Sequence, residues 1–232
     1  MYIANTNSTN TLLKQLAAEG NPPEFIYAGY QTAGRGQTGN GWESEEGKNL
    51  LCSILLPPNK NLYFLNIAVS VAIIRELEVR GLEVRGLAIK WPNDIYWKDK
   101  KLAGILVENA IIGSEVKYSI AGIGLNVNQT VFVSDAPNPV SLKQITGKEY
   151  DIDQWMQDLL EAVKAVLNEP EEVIWSEYKA HLYRREGYWP YEDANGRFEA
   201  QIENVLPTGE IVLRDTDNKE RIYHFKQIRY VV

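Results

Sequence analysis

Apolar residues recur at Leu12, Leu13, Leu16 and Ala17, one face of a short helix over 8–19. Ser8 or Thr9 can cap that helix, and Gly20 with Pro22-Pro23 ends it. Phe25–Tyr30 reads as a strand, and Leu50–Leu56, apolar almost throughout and stopped by Pro57-Pro58, as a buried one. Leu62–Val79 has the length and composition of a buried helix, and Leu87–Trp91 is extended because Pro92 pushes its predecessor away from helix. Three β-like runs follow: Ile95–Trp97, Ala103–Val107 and Val116–Leu125. Their breaks at Asp99-Lys100 and Ile112-Gly113-Ser114 predict an antiparallel meander. Asp153–Leu167 and Glu171–Tyr183 are amphipathic helices on either side of Pro170.

After Gly187 the pattern changes to short strands with turns at Asn195-Gly196, Pro207-Thr208-Gly209 and Asp217-Asn218. The reading is therefore an α+β body over 1–184, with helices on a mixed or antiparallel sheet, and a small β-barrel over 185–232. No internal repeat interrupts it.

Composition narrows the function classes. The chain has 232 residues and a net charge of -7, from 24 Lys+Arg against 31 Asp+Glu. That balance argues against nucleic acid, whose binders rely on fields of Lys and Arg. It leaves room for a small anionic ligand, since one basic loop suffices. The single cysteine, Cys52, excludes a scaffold built on internal disulfides. The N-terminus lacks the basic and apolar regions of a secretory signal. The most apolar stretch, Leu62–Ile74, is interrupted by Asn66 and Ser70 and falls short of a membrane span. A cytoplasmic protein without a membrane partner is the expectation.

Candidate chemistry gathers at two places. Gly34-Arg35-Gly36-Gln37-Thr38-Gly39 matches G-x-G-x-x-G literally, but Asn40–Gly47 is poor helix material, so a dinucleotide fold is rejected. Gly34, Gly36, Gly39, Gly41 and Gly47 instead surround Arg35 and Trp42. Backbone amides in such a loop can approach a polyanion, Arg35 adds a bidentate donor, and Trp42 suits a flat ring such as a purine. The second place is Lys90-Trp91-Pro92-Asn93-Asp94, followed by Lys101-Leu102-Ala103-Gly104-Ile105-Leu106. Lys98 and Lys100 flank a turn and belong to solvent; Lys90 and Lys101 each abut an apolar run and suit phosphate or carboxylate. Asp94 can hold a magnesium ion or accept a proton. His181 and His224 are too scattered for zinc, and neither is placed as a base for Ser8 or Cys52.

Ser8-Thr9-Asn10, Gln31–Gly36, Lys90–Asp94, Lys101–Leu106 and Gly122-Ile123-Gly124-Leu125-Asn126, in this order, closely resemble biotin protein ligase. The resemblance implies a class II aminoacyl-tRNA synthetase-like catalytic domain and a terminal SH3-like barrel. It also implies two half-reactions: ATP with Mg²⁺ activates biotin to biotinyl-5′-AMP, and the acyl group passes to a lysine of biotin carboxyl carrier protein. Carried over by motif, Ser8, Thr9, Asn10, Gln31, Arg35, Gly36, Gln37, Lys101 and Gly104 match biotin or adenylate contacts. Trp42 and Asn126 match the adenine contacts; Lys90 and Asn93 are expected near the nucleotide. Asp94 matches the acid thought to serve acyl transfer, so Lys101, Arg35, Asp94 and Lys90 form the expected catalytic set. No residue set for the metal is implied.

The sequence departs from the family pattern at Gln37 and Asn40, where arginines usually stand. Weaker electrostatic closure of the loop, with leakage of the adenylate, is the expectation. Because the ligand motif begins at Ser8, a front DNA-binding domain is not expected either. Sheet-edge dimers occur in the family, which makes a homodimer an open expectation. Two other readings compete: a lipoate-type ligase, disfavoured by the Lys90–Asp94 tract, and a non-catalytic biotin-sensing scaffold, supported only by Gln37 and Asn40.

Overall fold

A computed structural model describes residues 1–37, 39–59, 61–82, 86–113, 115–134 and 138–231. Thr38 in the glycine loop and Ser114 in the expected turn lie outside the described residues. The chain opens with β1 (Tyr2–Thr6), α1 (Thr9–Ala18), β2 (Phe25–Gln31), β3 (Leu50–Leu56) and α2 (Leu62–Val79). It continues with β4 (Leu87–Lys90), β5 (Asp94–Trp97), β6 (Lys100–Ile112) and β7 (Glu115–Leu125). Helices α3 (Leu142–Thr146), α4 (Ile152–Leu167) and α5 (Glu171–Ala180) precede the terminal strands. Those are β8 (Trp189–Asp193), β9 (Gly196–Val205), β10 (Ile211–Asp215), β11 (Glu220–Tyr223) and β12 (Arg229–Tyr230).

The large sheet runs β1-β2-β3-β7-β6-β5-β4. Among the described strands of this sheet only β1 pairs parallel, with β2; the expected meander is the antiparallel run β5 to β7, and β4 extends it by one strand. Strand β3 shows how the sequence builds two layers. Leu50, Cys52, Ile54 and Leu56 enter the main core, while Ser53 and Leu55 meet α1 on the opposite face. Both faces are covered, which is why its apolar run is nearly continuous. On the main-core face lies α2, apolar almost all round, with α4 and α5 packed on it. Each of its buried Ile, Val and Leu side chains contributes roughly 1.5–3 kcal/mol.

Two polar residues interrupt α2 for a reason. Asn66 Nδ2 donates to the Pro92 carbonyl at 2.6 Å, and Ser70 Oγ donates to the Asn66 carbonyl at 2.8 Å. The helix thereby fixes the Lys90–Asp94 turn. The amphipathic α4 starts on Asp151, whose carboxylate accepts from the Asp153 and Gln154 amides. Ser8 occupies the N-cap position of α1, yet its side chain makes no capping bond.

The terminal strands form a five-stranded antiparallel sheet in the order β11-β10-β9-β8-β12. The sequence pattern predicts a barrel; among the described residues no pairing joins β11 to β12, and β12 has only two residues. Nor does the core stop at 185, because Tyr191, Ile211, Leu213 and Tyr230 share one cluster with Ile174, Tyr178 and Leu182. The Trp91 indole Nε1 ties the two sheets by donating to the Gly209 carbonyl at 2.9 Å. Among the described residues no helix is long and apolar enough to cross a membrane.

Candidate functional site

The pleat of β6 and β7 lays the floor of a cleft of about 520 Å³. On β7, Ala121, Ile123 and Leu125 point into the main core, so Gly122 and Gly124 face the other way. A Cβ on Gly124 would stand 2.4 Å from the Trp42 ring, and one on Gly122 would stand 2.4 Å from Asn10 Oδ1. At that distance the neighbouring side chain would have to shift. The glycines let an indole and an amide lie directly on the sheet.

One wall comes from the start of α1. Thr9 N and Oγ1 both donate to Gln31 Oε1, at 2.7 and 3.1 Å. Ser53 Oγ lies 2.8 Å from Thr9 Oγ1 and 2.5 Å from Asn10 Oδ1. Asn10 Nδ2 donates onward to Glu108 Oε2 at 2.9 Å, and the same oxygen accepts from Arg35 Nη2 at 2.7 Å. The opposite lip is the glycine loop, folded as a hairpin: Trp42 N donates to Gly34 O at 3.0 Å, and Gly36 N to Asn40 O at 2.7 Å.

The cationic end follows from register. Lys90 pairs with Asp94 across β4 and β5, and Asp94 with Gly104 across β5 and β6. Lys101 Nζ sits 2.8 Å from Asp94 Oδ1 and 5.5 Å from the Trp42 ring centre. Lys90 Nζ donates to the Tyr96 hydroxyl at 2.9 Å and lies over the rings of Tyr96 and Tyr230, at 4.7 and 5.2 Å. Burial holds its ammonium below the ordinary lysine value; Asp94 opposes that shift, while Lys101 and Arg184 add to it.

Ser8, Thr9, Asn10, Gln31, Arg35, Gly36, Gln37, Trp42, Lys90, Asn93, Asp94, Lys101 and Gly104 all line this one cleft. Asn126 does not. It is buried two residues beyond Gly124, donates through Nδ2 to the Val140 carbonyl at 3.1 Å, and leaves Oδ1 without a partner. The Trp42 indole Nε1 is likewise buried without a partner. Cys52 reaches the cleft, but burial pushes its thiol up to about 12, so it carries no thiolate near neutral pH.

Sequence reasoning missed Ser53 and Glu108, and it named no residue of the terminal segment, which supplies Phe225, Ile228 and Tyr230 to the wall. Glu108 had a usable signal: it falls two positions after Leu106 and four after Gly104, on the cleft side of the pleat. Among the described residues no three His, Cys, Asp or Glu side chains converge as a metal site. Asp94 and Glu108 are each engaged by a cation, so the donor set suits an ion carried in on a polyphosphate better than a resident metal.

The chain is thus a mixed α/β domain whose sheet carries a cationic cleft over a glycine floor, an arrangement that suits a small anionic ligand. Residues 2–126 match the model of the Biotin/lipoate A/B protein ligase family, and the chain belongs to that family. It is 30% identical to the biotin–[acetyl-CoA-carboxylase] ligase of Mycobacterium tuberculosis, over 95% of this chain and 80% of that protein. Identity to the bifunctional ligase/repressor BirA of Bacillus subtilis is 29%, over 94% of this chain and 70% of that protein. The fold superimposes with a TM-score of 0.80 on biotin protein ligase from Aquifex aeolicus in complex with biotin and ATP. That match has 23% sequence identity and covers 100% of this chain and 98% of the other.

Proposed function

We propose that this chain is an ATP-dependent biotin–protein ligase that activates biotin as biotinyl-5′-AMP and transfers it to a lysine of a carboxylase's biotin carrier protein. One observation carries the reading: every catalytic residue expected from the motifs opens onto a single cleft of cations, amides and the Asp94 carboxylate, with no activated nucleophile among the described residues. Such a site suits a reaction whose nucleophile belongs to the substrate.

In the first half-reaction the biotin carboxylate oxygen attacks the α-phosphorus, and the bond to the pyrophosphate oxygen breaks. Arg35, Lys90 and Lys101 offset the converging negative charge and hold the groups in line. Mg²⁺ bound to the triphosphate would screen its charge further. The wall of Ser8, Thr9, Asn10 and Gln31 holds biotin, with Gly36, Gln37 and Gly104 lining the same chamber. Trp42 covers adenine from the cleft lip, with Asn93 near the nucleotide; Asn126 lies off the cleft wall, and the Oδ1 it leaves unpartnered is what supports a role for it in holding adenine. In the second half-reaction an acceptor lysine nitrogen attacks the acyl carbon, AMP departs, and Asp94 takes the amine's proton.

We further read residues 1–184 as the catalytic domain and 185–232 as a small domain of SH3-like barrel type. The abrupt change to short hairpin strands supports that division, and Phe225–Tyr230 on the cleft wall supports a role in closing the nucleotide or acceptor side.

The test is pyrophosphate release that requires both biotin and ATP. Release with lipoate in place of biotin would redirect the assignment within the family, and no release with either would reject it.

Lys90 adds a pH prediction. Its lowered pKa means that the charge is lost at lower pH than on a free lysine, so affinity for ATP weakens on the alkaline side. Lys90→Arg keeps its charge throughout that range and should flatten the alkaline rise of KM for ATP. An unchanged rise in the variant would show that another group titrates.

A further inference from the structure

Between Gly34 and Trp42 the hairpin carries one charged residue, Arg35; Gln37 and Asn40, which also face the cleft, are neutral. Electrostatic hold on this lip therefore rests on what Arg35 touches. It touches Glu108, an acid outside every motif and off the cleft wall, at 2.7 Å through Nη2. Glu108 is itself anchored, because the same oxygen accepts from Asn10 Nδ2 at 2.9 Å and Asn10 is fixed by Ser53 and by the Leu106 carbonyl. A chain of contacts thus runs from the hairpin through β6 to the start of α1. Among the described residues Arg35 donates through Nη2 alone, which leaves the rest of the guanidinium fork for a ligand.

We propose that Glu108 is a positioning residue that holds the glycine hairpin over the cleft through Arg35 and so sets how long the acyl adenylate is retained. The inference rests on the ligase reading above. Glu108 need not touch substrate to act: loss of its charge frees the lip, and a freed lip lets the mixed anhydride escape before the carrier arrives.

The test uses the full chain with ATP, Mg²⁺, biotin, a carrier domain and a bystander protein such as albumin. The readout is the ratio of bystander to carrier label, which is independent of total activity. E108Q preserves side-chain volume and a hydrogen-bond acceptor, and E108A removes both. The ratio should rise roughly two- to fivefold in each variant, the scale of a partly exposed ion pair. That gap should narrow between about 0.05 and 1 M salt, as screening weakens the wild-type pair. A ratio equal to wild type in both variants overturns the proposal, as does a rise that is the same at every salt concentration. If the wild-type chain makes no pyrophosphate from biotin and ATP, the ligase reading fails first and this inference falls with it.

Discussion

Lys101→Ala should lower kcat/KM for biotin- and ATP-dependent pyrophosphate release by about 10²–10³-fold, the scale of removing one preorganised electrostatic stabiliser. The backbone around it is fixed independently of the side chain. Lys101 N donates to the Asn138 carbonyl at 2.9 Å, and Val140 N donates to the Lys101 carbonyl at 2.9 Å. Truncation therefore removes charge and leaves the fold. The loss is twofold in kind: the ammonium disappears from beside Trp42, and Asp94 is left as an uncompensated carboxylate where phosphates must bind. Lys101→Arg should recover only part of the rate, because a planar fork cannot occupy the position of a compact ammonium. Exposed Lys98, at the turn that follows β5, provides the control; Lys98→Ala should stay within about twofold of wild type. A full rate in Lys101→Ala would remove Lys101 from the mechanism.

Asp94→Asn should divide the half-reactions. Supplied with biotinyl-5′-AMP, the variant should transfer biotin to the carrier about 10²-fold more slowly, the low end of general-base contributions. Adenylate formation should suffer less, since an asparagine at this position keeps the shape of the side chain and an oxygen for Lys101. The pH profile separates a base from a structural prop. An exposed acceptor lysine loses its own proton toward about pH 10.4, so the gap between variant and wild type should shrink as pH rises. A constant gap, or transfer at the wild-type rate, would take the proton away from Asp94.

The parts of this molecule that are legible in its sequence are those in which local pattern and burial agree. Leu50–Leu56 and Leu62–Val79 are readable to the residue because each is apolar enough to be buried on nearly every side. Strand β1 escapes the pattern because Tyr2–Thr6 is a largely exposed edge strand, without the alternation that a covered face imposes. Helix α3 escapes it because its five residues are too few to show a period; a Ser141–Gln144 capping box and Gly147 at its end define it instead.

The site divides in the same way. Arg35, Lys90, Asp94 and Lys101 lie in short motifs next to glycine or proline, so their setting marks them. Ser53 sits within an apolar strand, and its partners Thr9 and Asn10 are more than 40 residues away in sequence. Only the fold brings such residues together. Glu108 lies between these cases, because strand alternation places it on the right face while nothing local names Arg35 as its partner.

If this cleft activates biotin and delivers it to one lysine of a carrier, the modified residue can be read directly. The direct measurement is incubation of the full chain with ATP, Mg²⁺, biotin and a biotin carrier domain, followed by peptide mass analysis. Biotin should appear on a single carrier lysine, dependent on ATP and abolished when that lysine is changed to arginine. Carrier left unmodified while the chain still binds biotin would contradict it and identify the protein as a ligand-binding relative of the ligases.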